Sequence, residues 1–277
     1  MPNLFKFVFS VVANVVCVCG LVSGDAHAAA ICRDPAGFEA WLGAIRQEAE
    51  AAGIPQSAIV AGLDGVTYDP VVISHDHGQH VFTQTFEQFS GRMINSFRLR
   101  KGADLIKRYA ATFAKIEQEY GVPASIIVAI WGLETDFGAV TGNFATIRSV
   151  ASLAYDCRRS DMFKAELFDA LRLVARGDLT PAAMHGAWAG ELGQTQFMPS
   201  AYLKFAVDFD GDGHADLIHD VPDVLASTAN FLKGYGWKRG AGWGPGEPNF
   251  PVILQWNRAD VYARTIALYA QKLQGTE

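Results

Sequence analysis

Residues 122–138 read VPASIIVAIWGLETDFG, and within them Glu134 is the side chain whose position invites chemistry. Ile127, Ile130, Trp131 and Glu134 are spaced i, i+3, i+4 and i+7, so on a helix all four share one apolar stripe. A carboxyl on a core-facing stripe is costly to ionise, because desolvation disfavours the charged form and raises its pKa. That is the condition of a general acid, although a Glu at the stripe's edge, bonded to a neighbouring Arg or a helix cap, would show the same spacing. Asp136 is two residues on, roughly 200° around a helix, and faces another way.

Two further stretches carry chemistry. Asp208, Asp210, Asp212, Gly213 and the His214 carbonyl reproduce the start of a calcium loop, D-x-D-x-D-G-x, in which alternate oxygens converge around a sharp turn. The twelfth position holds His219 rather than Glu, so Asp216, Asp220 or Asp223 must close the loop; an acidic surface turn is the alternative. Residues 186–200, GAWAGELGQTQFMPS, bring together glycines, amides and aromatics, a composition suited to a polar, ring-shaped ligand. With Trp131, Trp188 and Trp256 they lean toward carbohydrate. His75, His77 and His80 lack a fourth ligand, and a polar loop accounts for them. Nucleophile elbow, phosphate loop, zinc-protease helix and dinucleotide fingerprint are all missing where their context would demand them, which leaves a lone helical carboxyl as the catalytic candidate.

The surrounding pattern is helical. Pro123 suits the first turn of the Glu134 helix and Gly138 its left-handed end. Asp34 and Pro35 open a helix over 34–53 with Phe38, Trp41, Leu42 and Ile45 inward, and a short helix follows Pro55. Residues 65–81 show no helical period and read as extended or irregular. Two helices are expected over 83–120, ended by Gly121, then helical stretches at 143–156, 158–176 and 181–190. Only 250–255 looks β-like before a last helix striped by Tyr262, Ile266, Tyr269 and Leu273. The class is mainly α, with a small β element.

The chain has 277 residues, half of them hydrophobic, and a formal net charge of -6. One sizeable core is expected, and neither disorder nor a basic nucleic-acid footprint fits. A cationic start, an apolar run over 7–22 and the order Ala26, His27, Ala28 read as a signal peptide cleaved after Ala28, which places residues 29–277 in the periplasm as a single unit. Lys6 and Asp25 leave with the signal, so the charge is unchanged. The apolar run is too short for a comfortable membrane span. Cys17 and Cys19 go too, leaving Cys32 and Cys157, which an oxidising compartment allows to form one intramolecular disulfide.

IWGLETDFG, the Arg158 and Arg159 pair after LAYDC, AGELGQTQFMPSAY, AVDFDGDGHADL and NFLKGYGW together resemble the lytic transglycosylase B family of peptidoglycan lyases, over about residues 38–262. The resemblance implies a lysozyme-like helical core at roughly 104–245 with a flanking helical lobe, and a structural calcium loop at 208–223. It implies Glu134 as catalytic acid and base, and Gln196, Phe197, Trp256, Asn257 and Tyr262 in the substrate cleft. Arg158 and Arg159 would face acidic parts of the glycan or its peptide stems, and calcium would sit on Asp208, Asp210, Asp212, the His214 carbonyl and Asp223. No catalytic cofactor is implied; the partner is the glycan strand, and the protein is expected to be a monomer. The implied reaction cleaves the β-1,4 bond between N-acetylmuramic acid and N-acetylglucosamine and closes a 1,6-anhydro ring, so one carboxyl suffices. Ala187, Phe89 and Phe231 stand where the best-known member has Ser and Tyr, which removes hydroxyl contacts. The competing readings are a hydrolytic muramidase with Asp136, Asp156 or Glu191 as second carboxylate, and a non-catalytic peptidoglycan-binding protein.

The exported protein is expected to show no free thiol before reduction. Two titratable thiols in the native, unreduced state would refute a bridge between Cys32 and Cys157.

Overall fold

The computed structural model describes residues 34–78 and 84–275. The signal segment, Cys32 and His80 lie outside them, and with them the expected disulfide pairing and the third histidine of the polar segment. The described chain is mainly helical, with one two-stranded antiparallel sheet.

At the centre is the Glu134 helix, Ala124–Thr135. Its residues 125–133 are all buried, so it is apolar all round rather than striped, the pattern of a helix enclosed by others. Pro123 stands one position earlier than expected, as the extended residue before the first turn. Numbering helices in chain order, α1 is Phe38–Ala51, α2 Gln56–Leu63, α3 Pro70–His77, α4 Phe86–Met93, α5 Ser96–Arg108, α6 Ala110–Tyr120 and α7 the central helix. There follow β1 Phe144–Ala145, α8 Thr146–Tyr155, α9 Ser160–Arg176, β2 His185–Gly186, α10 Pro199–Phe205, α11 Val221–Gly234, α12 Phe250–Trp256 and α13 Asp260–Gln274. α5, α11 and α13 enclose α7. Two glycines let them close in: a Cβ on Gly102 would lie 3.0 Å from Leu273 and 3.1 Å from Val128, and one on Gly132 2.8 Å from the Phe137 ring. The last helix buries Tyr262, Ile266, Tyr269 and Leu273 as its stripe predicts.

The amino-terminal helices form a lobe on α8 and α9, pinned by rings: Tyr155 meets Phe38 edge-on at 5.4 Å and Trp41 at 5.3 Å. Asp34 accepts a hydrogen bond from the Ala36 amide, but it opens a 3-10 turn, Pro35–Gly37, that leads into α1.

Four stretches differ from expectation. Within 65–81, α3 forms because Asp69 accepts from the Val71 and Val72 amides and Pro70 is pre-set for a first turn; this capping signal outweighs the missing period. Residues 83–120 hold three helices rather than two. Thr85 and Gln88 cap α4 reciprocally, and Asn95 starts α5 afresh by accepting from the Arg98 amide. The 181–190 stretch is a 3-10 turn, Pro181–Ala183, followed by β2, which pairs with β1. A Cβ on Gly186 would collide with the Glu191 carbonyl, so the glycine permits the close return of the chain at Glu191 and Leu192 beside β2. Finally, 250–255 is helical: Pro251 sits in the first turn and Phe250, Val252 and Ile253 turn inward. A short apolar run cannot separate strand from helix by itself, and here packing against α11 and α13 decides. The small β element is therefore the β1–β2 pair.

Candidate active site

The site is built from the carboxyl end of α7 outward. Past Glu134 the chain turns sharply: Asp136 and Phe137 both take left-handed backbone, φ 52 and 62. Such conformations are costly for residues with a Cβ and persist only where surroundings enforce them. Here Thr135 Oγ1 donates to the Gln194 carbonyl at 2.5 Å and accepts from the Gly138 amide at 2.8 Å. Trp131 Nε1 donates to Gln194 Oε1 at 3.0 Å, and Asp136 takes the Arg98 Nε–H at 2.6 Å. The turn is thus bolted to the 193–197 segment on one side and to α5 on the other.

Glu134 remains partly open to solvent while its neighbours on α7 are enclosed. Its Oε1 accepts two hydrogen bonds, from Trp256 Nε1 at the end of α12 and from the Tyr262 hydroxyl on α13, each 2.9 Å. Burial pushes the carboxyl up to about 7; the two donors pull the other way, and nearby Glu191 adds to the rise. Burial and the Glu134 charge hold the Tyr262 hydroxyl far above its ordinary value, so it stays a donor. With both donors on Oε1, Oε2 is the oxygen placed to carry the proton.

In front of this carboxyl is a cavity of about 380 Å³, lined among others by Glu134, Glu166, Glu191, Gln196, Phe197 and Trp256. Asn257 also lines it, its side chain turned back to the Ala259 amide at 3.0 Å. Phe197 and Phe231 meet the Trp256 ring edge-on at 5.5 and 4.8 Å, so Phe231 fixes the Trp256 indole by packing. Phe89 packs against Tyr262 at 6.0 Å in the same way. Gln196 is left-handed, φ 55, and donates Nε2–H to the Thr141 and Gly193 carbonyls at 3.2 and 2.9 Å. Glu166, which sequence reasoning passed over, accepts from the Ser200 amide and hydroxyl at 2.9 and 2.7 Å. It is a long-range pair with no sequence signal.

Of the alternative second carboxylates, Asp136 is spent on Arg98, and Asp156 accepts from His77 Nε2 at 2.7 Å and the Arg158 amide at 2.9 Å. Only Glu191 shares the cavity. Arg158 and Arg159 both grip Asp76, a buried carboxylate on α3. Burial alone would raise the Asp76 pKa, but the two guanidinium groups outweigh it and hold it below the ordinary range. Asp76 was missed because its segment reads as irregular; the Asp69–Pro70 cap was the signal.

In the acidic loop, the Asp208, Asp210 and Asp212 carboxylates bring oxygens within 4.8 Å of one another and are exposed. Asp208 takes the Gly211, Asp212 and Gly213 amides, which set the curvature. Asp223 is buried, with one oxygen on the Phe209 amide at 2.7 Å and the other on the Asp216 amide at 2.9 Å. It ties the two ends of the loop together rather than joining the trio. Asp216 is occupied by the Ile218 and His219 amides, and Asp220 caps α11. Three converging hard oxygens fit a divalent cation of the calcium class.

Comparison with known proteins places these features among relatives. A family model described as a transglycosylase SLT domain matches residues 37–247. The membrane-bound lytic murein transglycosylase B of Escherichia coli (strain K12) is 36% identical over 171 residues, covering 58% of this chain and 47% of the relative, so the chain spans about half of that protein's length. SltB3 from Pseudomonas aeruginosa in complex with NAG-NAM-pentapeptide superposes with a TM-score of 0.82 at 32% identity, covering 86% of this chain and 80% of that one. The same protein with NAG-anhNAM-pentapeptide gives a TM-score of 0.81 at 32% identity and the same coverage. The E. coli lytic transglycosylase SLT35 in complex with calcium gives 0.74 at 25% identity, covering 84% of this chain and 91% of that one.

Folding raises the Glu134 pKa from 4.5 to about 7, so the folded state holds this proton more tightly than the unfolded chain does. The resulting stability is fully present below the unfolded value and is lost as pH rises through the folded one. Glu134→Gln is therefore expected to be more stable than the parent by roughly 3 kcal/mol at about pH 8 and nearly equal to it at about pH 4. Denaturant titrations at the two pH values check this; a stability difference that does not change with pH would overturn it.

Proposed function

The chain belongs to the transglycosylase SLT domain family, and from that premise we propose that it is a peptidoglycan lytic transglycosylase with Glu134 as its single acid and base. The observation that carries the reading is one carboxyl, raised to about 7 and held on one oxygen by Trp256 and Tyr262 at the wall of an aromatic cavity. A proton is available there at neutral pH, and the residue that gives it up is pre-oriented.

In this reaction Glu134 donates its proton to the glycosidic oxygen between N-acetylmuramic acid and N-acetylglucosamine. The bond from the muramoyl C1 to that oxygen breaks, and the substrate's N-acetyl group steadies the developing cation. The Glu134 carboxylate then takes the proton from the muramoyl 6-hydroxyl while that oxygen bonds to C1, closing the 1,6-anhydro ring and restoring the acid. The nucleophile is tethered to its target, so no second carboxylate is needed to position water. The relative's complexes with NAG-NAM-pentapeptide and NAG-anhNAM-pentapeptide, substrate-like and anhydro forms, support this direction.

In the same reading Gln196, Phe197, Trp256, Asn257 and Tyr262 form the sugar cleft. All but Tyr262 line the cavity, and Tyr262 works from behind, on the acid. Arg158 and Arg159, anchored on Asp76 with side chains 42% and 35% exposed, keep charge available for the carboxylates of the peptide stem. Asp208, Asp210, Asp212 and the His214 carbonyl hold a structural calcium ion, with Asp223 bracing the loop beneath them through the Phe209 and Asp216 amides instead of serving as the ligand expected of it; the calcium complex of a relative supports this. Crowding of like charges around Asp220, whose pKa is raised by burial and then by Asp210, Asp216 and Asp212, is the strain a divalent cation relieves. Residues 29–277 act as one monomeric unit in the periplasm after cleavage near Ala28, with the lysozyme-like core at roughly 104–245 and a bridge between Cys32 and Cys157. No helix of the described residues is long and apolar enough to cross a membrane.

Mass spectrometry of products from purified peptidoglycan tests the reading. Fragments lighter than hydrolytic muropeptides by the mass of one water are expected. Glu134→Gln should abolish their release, by at least roughly a thousandfold, while leaving binding to the cell wall intact. Hydrated products would favour the muramidase reading, which Glu191 in the cavity keeps concrete, and no products from folded, calcium-loaded protein would favour a binding role.

Chelation of calcium is expected to lower the melting temperature, since an ion bound only by the folded state stabilises it. Identical melting curves with calcium and with chelator would remove the ion from the loop.

A further inference from the structure

Glu191 shares the Glu134 cavity and has no part in a single-carboxyl reaction. Its backbone is clamped: its carbonyl accepts the Ala187 amide at 3.2 Å, and neighbouring Leu192 bridges to both Gly186 and Phe197. Burial raises the Glu191 pKa, the backbone of Glu191 and Ala189 and then the Arg159 charge act against that rise to favour the carboxylate, and Oε2 is buried without a hydrogen-bond partner. A buried, orphaned carboxyl oxygen is expensive, and here it stands on a rigid turn beside the reacting acid.

The cations nearest the two carboxyls are engaged with other partners. Among the described residues lining the cavity none is basic. Glu134 meets Trp256 N–H and Tyr262 O–H; Arg98 behind Tyr262 is paired with Asp136. Glu191 feels Arg159, but that guanidinium is paired with Asp76, beside Arg158. Glu166, the third carboxyl of the cavity, is bound to Ser200 and has Asp169 as its charged neighbour.

We propose that Glu191 is a positioning residue that acts through Glu134: its carboxyl, fixed in the same enclosed space, holds the proton on Glu134 until the glycosidic oxygen takes it, and makes the carboxylate left behind a stronger base. This rests on the single-acid reading above. Neighbouring negative charge slows the loss of a proton to solvent and favours its recovery from the 6-hydroxyl, and both halves of an acid-then-base cycle need that balance.

The test is titration of the Glu134 carboxyl by carbon-13 NMR, its signal assigned by loss in Glu134→Gln, in the parent, Glu191→Gln and Glu191→Asp. The pH profile of kcat/KM on purified peptidoglycan is measured beside it. Glu191→Gln is expected to lower the Glu134 midpoint by about one unit and to move the alkaline fall of activity down equally, about a tenfold loss on that limb. Glu191→Asp keeps the charge and should restore most of both; Glu191→Ala replaces the Gln variant if that one does not fold. An unchanged Glu134 midpoint in Glu191→Gln overturns the proposal. So does complete inactivity at every pH in a folded variant that still binds cell wall, which would make Glu191 a catalytic carboxylate in its own right. A shifted midpoint in a protein whose parent releases no anhydro product would uphold the coupling and sink the reaction assigned to it.

Discussion

Everything in this molecule answers to the cost of holding one carboxyl inside an apolar helix bundle. Glu134 ends a helix whose preceding residues are fully enclosed, and burial is the largest influence on its proton. Left alone, a carboxyl in such a place would either stay neutral throughout or unfold its surroundings. The bundle compromises by supplying two neutral donors, Trp256 and Tyr262, on one oxygen. Neutral donors stabilise the anion without locking it, as an arginine would. The resulting pKa near 7 is a balance between burial and two hydrogen bonds.

That balance depends on distant parts of the chain. The donors come from α12 and α13, more than a hundred residues after the acid, and they are placed by the packing of α13 along α7. Close approach of α5, α7 and α13 relies on Gly102 and Gly132 having no side chain. The cavity's opposite wall is the 193–197 segment, fastened to the end of α7 through Gln194. The acid and its cleft are therefore parts of one packed unit, and left-handed Asp136, Phe137 and Gln196 mark where the backbone is bent to make them meet.

Charge is sorted by place. The guanidinium pair is drawn onto buried Asp76 in the amino-terminal lobe, the acidic trio is gathered in an exposed loop, and the cavity keeps carboxyls without cations. A basic residue inside the cavity would lower the Glu134 pKa and cost the acid its proton, so the distribution of charge and the chemistry obey the same constraint.

The chain by itself determined the helical class, the Glu134 helix with its misplaced carboxyl, the turn at Gly121 and the acidic loop. These are local: periodicity, glycine conformation and ligand spacing act within a few residues. The motifs of the resemblance also named Trp256 and Tyr262, though no local feature of their own stretches did. Tertiary structure decided that α12 is a helix and not a strand, because an apolar run of that length is compatible with both until α11 and α13 enclose it. It decided that Arg158 and Arg159 grip Asp76, that Asp223 ties the loop from beneath, and that Glu191, alone among the alternative second carboxylates, lines the cavity of Glu134. A side chain's partner across the fold, and the burial that sets its proton affinity, exist only once remote segments have packed; no spacing along the chain encodes either one.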